Sequence, residues 1–216
     1  MKKIFIGIDV SKLKLDFCIW QDGNYVDETI ISNHCDAIKY HLKSILVDTP
    51  KEDVLVCAEY TGQYIYPLSC ACDELKVDLW IENPVQIKYR SGLKRGKNDK
   101  IDARKIAAYA QRFHDQARLF ALPEKSIQAL KQLVSERDML VCDKAKYQGQ
   151  LSDQKDYMDQ ELYKNKYNRL SQLIHNLGQA INQIESQIQL IIDGDETLSR
   201  QHQLLCSIDG IGERTS

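Results

Sequence analysis

Four acidic residues carry the chemistry that this sequence suggests: Asp9, Glu59, Asp99 and Asp102. Asp9 stands in Gly7-Ile8-Asp9-Val10-Ser11-Lys12, at the end of a run in which Ile4, Ile6 and Ile8 share one strand face. Its side chain is expected on the opposite face. Glu59 follows the apolar run 54–58 and precedes Tyr60-Thr61-Gly62. A carboxylate at the carboxyl end of a central strand lies where α/β sheets place their sites. Asp99 and Asp102 are three apart at the start of a predicted helix, so they share a face, and Ile106, Tyr109, Ala110 and Phe113 continue that stripe. Each acid alone has a plainer explanation. It is a strand-end charge turned to solvent, or an acid in a first helical turn that favours the helix dipole. Together, three or four convergent carboxylates without thiol or imidazole suit Mg²⁺ or Mn²⁺. Such ions clamp the attacking and leaving oxygens of a phosphodiester displacement.

The elements that must position these acids are legible in the first half of the chain. Ile4, Ile6 and Ile8 mark a first strand, and Leu13, Leu15, Phe17 and Ile19 a second. Asp22-Gly23-Asn24 is a turn signal, and a third strand follows over 25–31, which makes an antiparallel meander. A helix is expected over 35–47, a buried strand over 54–58, a helix over 63–75 and a strand over 77–81. Three strands followed by helix, strand, helix, strand is the order of a ribonuclease H-like α/β domain with a mixed sheet. Asn83-Pro84 ends the last strand. A basic segment spans 88–105, within which Ser91-Gly92 and Gly96 suggest a mobile loop before a helix over 98–114. Lys88, Arg90, Lys94, Arg95, Lys97, Lys100 and Arg104, with Lys12 beside Asp9, are the candidate nucleic-acid contacts.

Composition narrows the classes. The net charge of the 216-residue chain is −2, so polyanion binding must come from a local patch rather than from the whole surface. The seven cysteines are scattered, with no C-x-x-C pair, which disfavours a zinc site and suits small buried hydrophobes in a reducing cytosol. No segment approaches the ~20 apolar residues of a membrane span. A bacterial cytoplasmic location with no membrane partner is therefore expected.

Beyond Pro123 the pattern changes. Leu170, Leu173, Leu177, Ile181, Ile184, Ile188 and Ile191 recur close to a heptad seam, and Ile127, Leu130, Val134 and Val141 do so earlier. Two long helices are predicted, a coiled-coil arm over 119–200 that joins copies of the chain, after a catalytic domain over 1–118. Residues 149–166 are polar and lack the seam. The tail 204–212 is apolar and then glycine-rich, and is read as the start of a further domain, over 201–216, that the chain does not complete.

In this order and spacing, Gly7-Ile8-Asp9-Val10-Ser11-Lys12, Glu59-Tyr60-Thr61-Gly62-Gln63-Tyr64, Asn83-Pro84 and Lys97-Asn98-Asp99-Lys100-Ile101-Asp102-Ala103 resemble the DEDD transposases of the insertion-sequence one-ten family. The resemblance covers about residues 3–113 in motif detail. It implies a RuvC-like domain with Asp9, Glu59, Asp99 and Asp102 as the DEDD set. It also implies a coiled-coil region used in assembly, DNA as substrate, a structured guide RNA, and a second domain with a nucleophilic serine beyond residue 216. Three rival readings stand beside it. An actin-like ATPase needs glycine-rich phosphate loops, and the 10 glycines here form none. A non-catalytic assembly module and a Holliday-junction-type resolvase share the front domain and differ in the segment after it.

Overall fold

The computed structural model describes residues 2–90 and 99–212, with side chains in the helix that begins at Asp99 described from Asp102 onward. It divides into two compact units, the first ending in sequence at Leu122 and the second beginning at Pro123.

The first unit is built on a five-stranded sheet. Strands β1 (Ile4–Val10), β2 (Lys14–Gln21) and β3 (Asn24–Ser32) form the antiparallel meander. Asp22 and Gly23 turn the β2–β3 hairpin with φ of 48° and 83°. Positive φ at both central residues gives the turn the twist that two right-twisted strands require. Leu13, which its spacing assigns to β2, is 78% exposed and lies in the preceding turn. There Ser11 donates to the Lys14 carbonyl from both its backbone N–H, at 3.0 Å, and its hydroxyl, at 2.8 Å. Helix α1 (Cys35–Leu46), β4 (Val54–Glu59), helix α2 (Tyr66–Leu75) and β5 (Asp78–Glu82) follow. The sheet order is β3-β2-β1-β4-β5, with β1, β4 and β5 parallel. This mixed sheet, with helices on both faces, is the expected ribonuclease H-like, RuvC-like arrangement.

One face of the sheet carries Ile4, Ile6, Ile8, Leu15, Phe17, Val54, Val56 and Leu79 beneath Ile38 and Leu42 of α1 and Leu68, Ala71 and Cys72 of α2. The other face is covered by α4 (Asp99–Phe113), which follows a short helix α3 (Pro84–Arg90). Ile106, Tyr109 and Ala110 of α4 pack on Phe5, Leu55, Cys57 and Trp80. Helix α4 comes so near β1 that a Cβ on Gly7 would meet the Ala107 nitrogen at 2.2 Å and the Ala103 carbonyl oxygen at 2.3 Å. Only glycine allows that approach.

Helix α3, which the sequence reading does not anticipate, follows Asn83, while the loop expected at Ser91-Gly92 and Gly96 lies outside the described residues. The Asn83 side chain accepts from the Val85 N–H at 2.9 Å, and its carbonyl from the Gln86 N–H at 2.9 Å. Pro84 sits in the first turn, where its missing N–H costs nothing. The first unit also extends past residue 118, because the Phe120 N–H donates to the Leu79 carbonyl on β5 at 2.6 Å.

The second unit holds α5 (Lys125–Gln154), α6 (Gln160–Asp193) and α7 (Glu196–Cys206). Helices α5 and α6 lie antiparallel. Arg137 pairs with Glu185 at 2.9 Å near one end, and the Tyr163 hydroxyl donates to the Leu151 carbonyl at 3.0 Å near the other. The polar stretch 149–166 is thus mostly helical, interrupted only by a short turn. Asp159 caps α6 by accepting from the N–H groups of Glu161 and Leu162 at 3.0 and 3.1 Å. The seam is centred on buried Ile181 and Ile184, whereas Leu173, expected within it, is 38% exposed. The tail expected to open a new domain is helical through Cys206, and Asp195 caps α7.

Candidate metal centre

Strand register decides which side chains meet. Phe5, Gly7 and Asp9 alternate with the Ile4, Ile6 and Ile8 row, so Asp9 stands on the α4 face as expected. Leu55 and Cys57 share that face on β4, and Glu59 continues their row at the carboxyl edge. Ile8 pairs with Ala58 across parallel strands, which brings Asp9 and Glu59 to the same edge of the sheet. Asp102 comes to them from α4, one turn before Ile106.

Electrostatics report the convergence. Burial raises the Glu59 carboxyl above its ordinary 4.5, the charges of Asp9 and Asp102 raise it further, and Lys105 pulls it partly back. Lys105 Nζ lies 2.7 Å from Asp102 Oδ1, one turn along the same helix. The structure therefore gathers three of the four expected acids. The fourth, Asp99, begins α4, and its side chain lies outside the described residues. Among the described residues, no group of three or more acid, thiol or imidazole side chains is already arranged to hold a metal ion. The donor chemistry fits a hard divalent cation all the same: oxygen donors on three partly buried side chains, with mutual repulsion for a cation to relieve.

The expected nucleic-acid contacts separate into groups. Lys12 is exposed in the turn just past Asp9. Lys88 is exposed on α3. Arg90 turns to the far end of α4, with its guanidinium 5.2 Å from the Phe113 ring centre and 2.9 Å from Gln116 Oε1. Eleven residues separate Asp102 from Phe113, roughly 16 Å of helix, so Arg90 does not flank the acids. Arg104, with its side chain about half exposed, is held by an ion pair with Glu28 and by the Tyr25 ring 5.4 Å away. Lys94, Arg95 and Lys97, with the Lys100 side chain, lie outside the described residues.

Three charged groups at this edge lie outside the expected site set. Lys105 is one, read from sequence only as part of the basic segment. Glu82 is the second: it pairs with Glu59 across β4 and β5, and it accepts from the Tyr109 hydroxyl at 3.0 Å and the Asn83 N–H at 2.7 Å. Asp16 is the third, directly opposite Asp9 on β2. The period-2 alternation of β2, which puts Asp16 opposite Leu15 and Phe17, was the available signal. Only the hairpin register places it across from Asp9.

No helix among the described residues is long and apolar enough to cross a membrane. Among solved structures the chain is similar to T. thermophilus RuvC in complex with Holliday junction substrate. That match has 14% identity and a TM-score of 0.43, over 55% of this chain and 99% of that one. It is also similar to a Thermus thermophilus RuvC structure, at 15% identity and a TM-score of 0.42, over 54% and 99%. No curated protein matches it. The family model for DEDD transposases of the insertion-sequence one-ten group, described as a transposase, matches residues 6–156. That span is more than half of the chain, which therefore belongs to this transposase family.

Proposed function

We propose that Asp9, Glu59, Asp99 and Asp102 hold one or two Mg²⁺ or Mn²⁺ ions and that this site cleaves and exchanges DNA strands during transposition. The observation that carries the reading is the approach of Asp9, from the strand paired with β4, and of Asp102, from α4, to half-buried Glu59, whose carboxyl is raised first by burial and then by their two charges. A bound divalent cation would act as a Lewis acid at a phosphodiester and make hydroxide available near neutral pH.

The protein's own groups have distinct tasks in this reading. Asp9 and Glu59 project from neighbouring parallel strands and form the rigid side of the site. Asp102 comes from α4 and is held by Lys105, a built-in counter-cation that must yield when a divalent ion takes the carboxylate. Lys12, exposed beside Asp9, is placed to meet a DNA phosphate. Lys94, Arg95, Lys97 and Lys100 precede or open α4 in sequence and would extend that contact. Family membership supports a structured guide RNA and assembly of copies through α5 and α6 as a coiled coil.

Calorimetric titration of Mn²⁺ into the chain, and into an Asp9→Asn, Asp102→Asn double variant, tests the reading. Binding by the wild type that the double variant has lost is the expected result. Equal binding by both would place the cation elsewhere and sink the assignment.

A further inference from the structure

The geometry points to Asp16 as a positioning residue for the cation, one that accepts hydrogen bonds from the ion's hydration shell and orients it at Asp9. The inference rests on the cation reading above and concerns a residue outside the expected set of four acids.

Asp16 is 3% exposed, on the α4 face of β2, in a row with Cys18 and Trp20. Asp9 is its direct partner in the antiparallel register. Directly opposed residues project from the same face with Cβ atoms about 5 Å apart. One oxygen of Asp16 is accounted for: Oδ2 lies 3.0 Å from Lys14 Nζ. The other is not. Oδ1 is fully enclosed and accepts no hydrogen bond among the described residues. A dry, unpaired carboxylate oxygen is unfavourable, and native folds keep few of them.

Glu82 is the instructive contrast. It occupies the equivalent edge position on β5, also faces α4, and has both oxygens hydrogen-bonded within the domain. Its role is complete without a ligand. Asp16 has an acceptor to spare, and the group across from it is Asp9. Asp16 lies across the hairpin from Asp9, on the side away from Glu59, which suits an outer partner better than a direct ligand. Mg²⁺ retains several of its waters when bound by carboxylates. Groups that orient what a metal binds directly typically change its affinity by about 10- to 100-fold when removed.

The test is calorimetry with Mn²⁺ on the 216-residue chain and three variants: Asp16→Asn, Lys14→Gln and Asp9→Asn. Asp16→Asn is expected to weaken Mn²⁺ binding at least about tenfold, with circular dichroism matching the wild type. Lys14→Gln should leave binding unchanged or tighten it, because it removes a competing cation and keeps the carboxylate. If Asp16→Asn does not fold, Asp16→Ala removes the carboxylate without burying a new polar group and carries the same expectation. Binding by either Asp16 variant within about twofold of wild type, while Asp9→Asn has lost it, would overturn this inference and leave the metal reading standing. Lys14→Gln weakening binding as much as Asp16→Asn would also overturn it, because Asp16 would then act only by pairing Lys14. A wild-type chain that binds no Mn²⁺ would overturn the metal reading and this inference together.

Discussion

The two units of this chain bury their apolar residues to very different depths. In the first, Ile6, Ile8, Leu15 and Val56 are completely enclosed, between a sheet and the helices that cover it. In the second, only Leu151, Ile181 and Ile184 are buried among the described residues, while Val134, Leu173 and Leu190 are 44, 38 and 72% exposed. A two-helix packing has a single narrow seam, so most of each helix surface faces away from it. The layered unit pins its elements from two faces, which suits a site where like charges must be kept together. The hairpin has few interior contacts with which to oppose local opening.

The largest expected effect tests the layered unit at its tightest point. Gly7→Ala drives a methyl group into the backbone of α4 at Ala103 and Ala107. Backbone has no rotamer with which to move aside, so a loss of about 3 kcal/mol or more is expected, read by chemical denaturation. The same change lifts Asp102 away from Asp9. Wild-type stability in this variant would show that α4 does not rest closely on β1.

Next comes a matched pair across the two units. Ile6→Ala opens a cavity in the closed sheet core and should cost about 4 kcal/mol. Ile184→Ala, in the seam that solvent can partly fill, should cost about 2 kcal/mol. Equal losses, measured by denaturation followed with hydrogen exchange in each unit, would erase the contrast between them.

The smallest effect concerns the charge that the layered unit tolerates. Folding raises the Glu59 carboxyl above 4.5. Between that pH and its raised folded value, the folded state holds a proton that the unfolded state has lost, so stability falls as pH rises through this window. Glu59→Gln should abolish that fall and make the metal-free protein more heat-stable at neutral pH than the wild type. Added Mn²⁺ should then raise the melting temperature of the wild type and not that of the variant. A variant less stable than the wild type at pH 7, without metal, would contradict the repulsion among these carboxylates.

How much of the molecule is legible in its sequence differs by element. The strands β1, β2 and β4 are readable because alternation and apolar runs are local signals, and so is the Asp22-Gly23 turn. Helix α3 escapes such a reading because glycines and basic residues further on mask a seven-residue helix started by Asn83 and Pro84. Helix α7 escapes it because Gly210 and Gly212 draw attention from the Asp195 cap. Spacing alone assigns Leu173 to the seam, and the packing of α6 on α5 turns it outward.

The sequence by itself determined which residues could do chemistry and on which strand face each would stand. Side-chain alternation is a property of the backbone and needs no partner. It also contained the motif order that marks the transposase family. Only the tertiary structure decided which of those groups meet. Asp9 and Glu59 are far apart in the chain and become neighbours through the pairing of β1 with β4. Asp16 faces Asp9 because the hairpin register puts it there. Arg90 and Arg104, basic residues of one segment, are drawn to Phe113 and Glu28 rather than to a shared surface. Contacts between distant segments depend on register and on close packing, such as that of α4 against Gly7, and neither is encoded in any local stretch of residues.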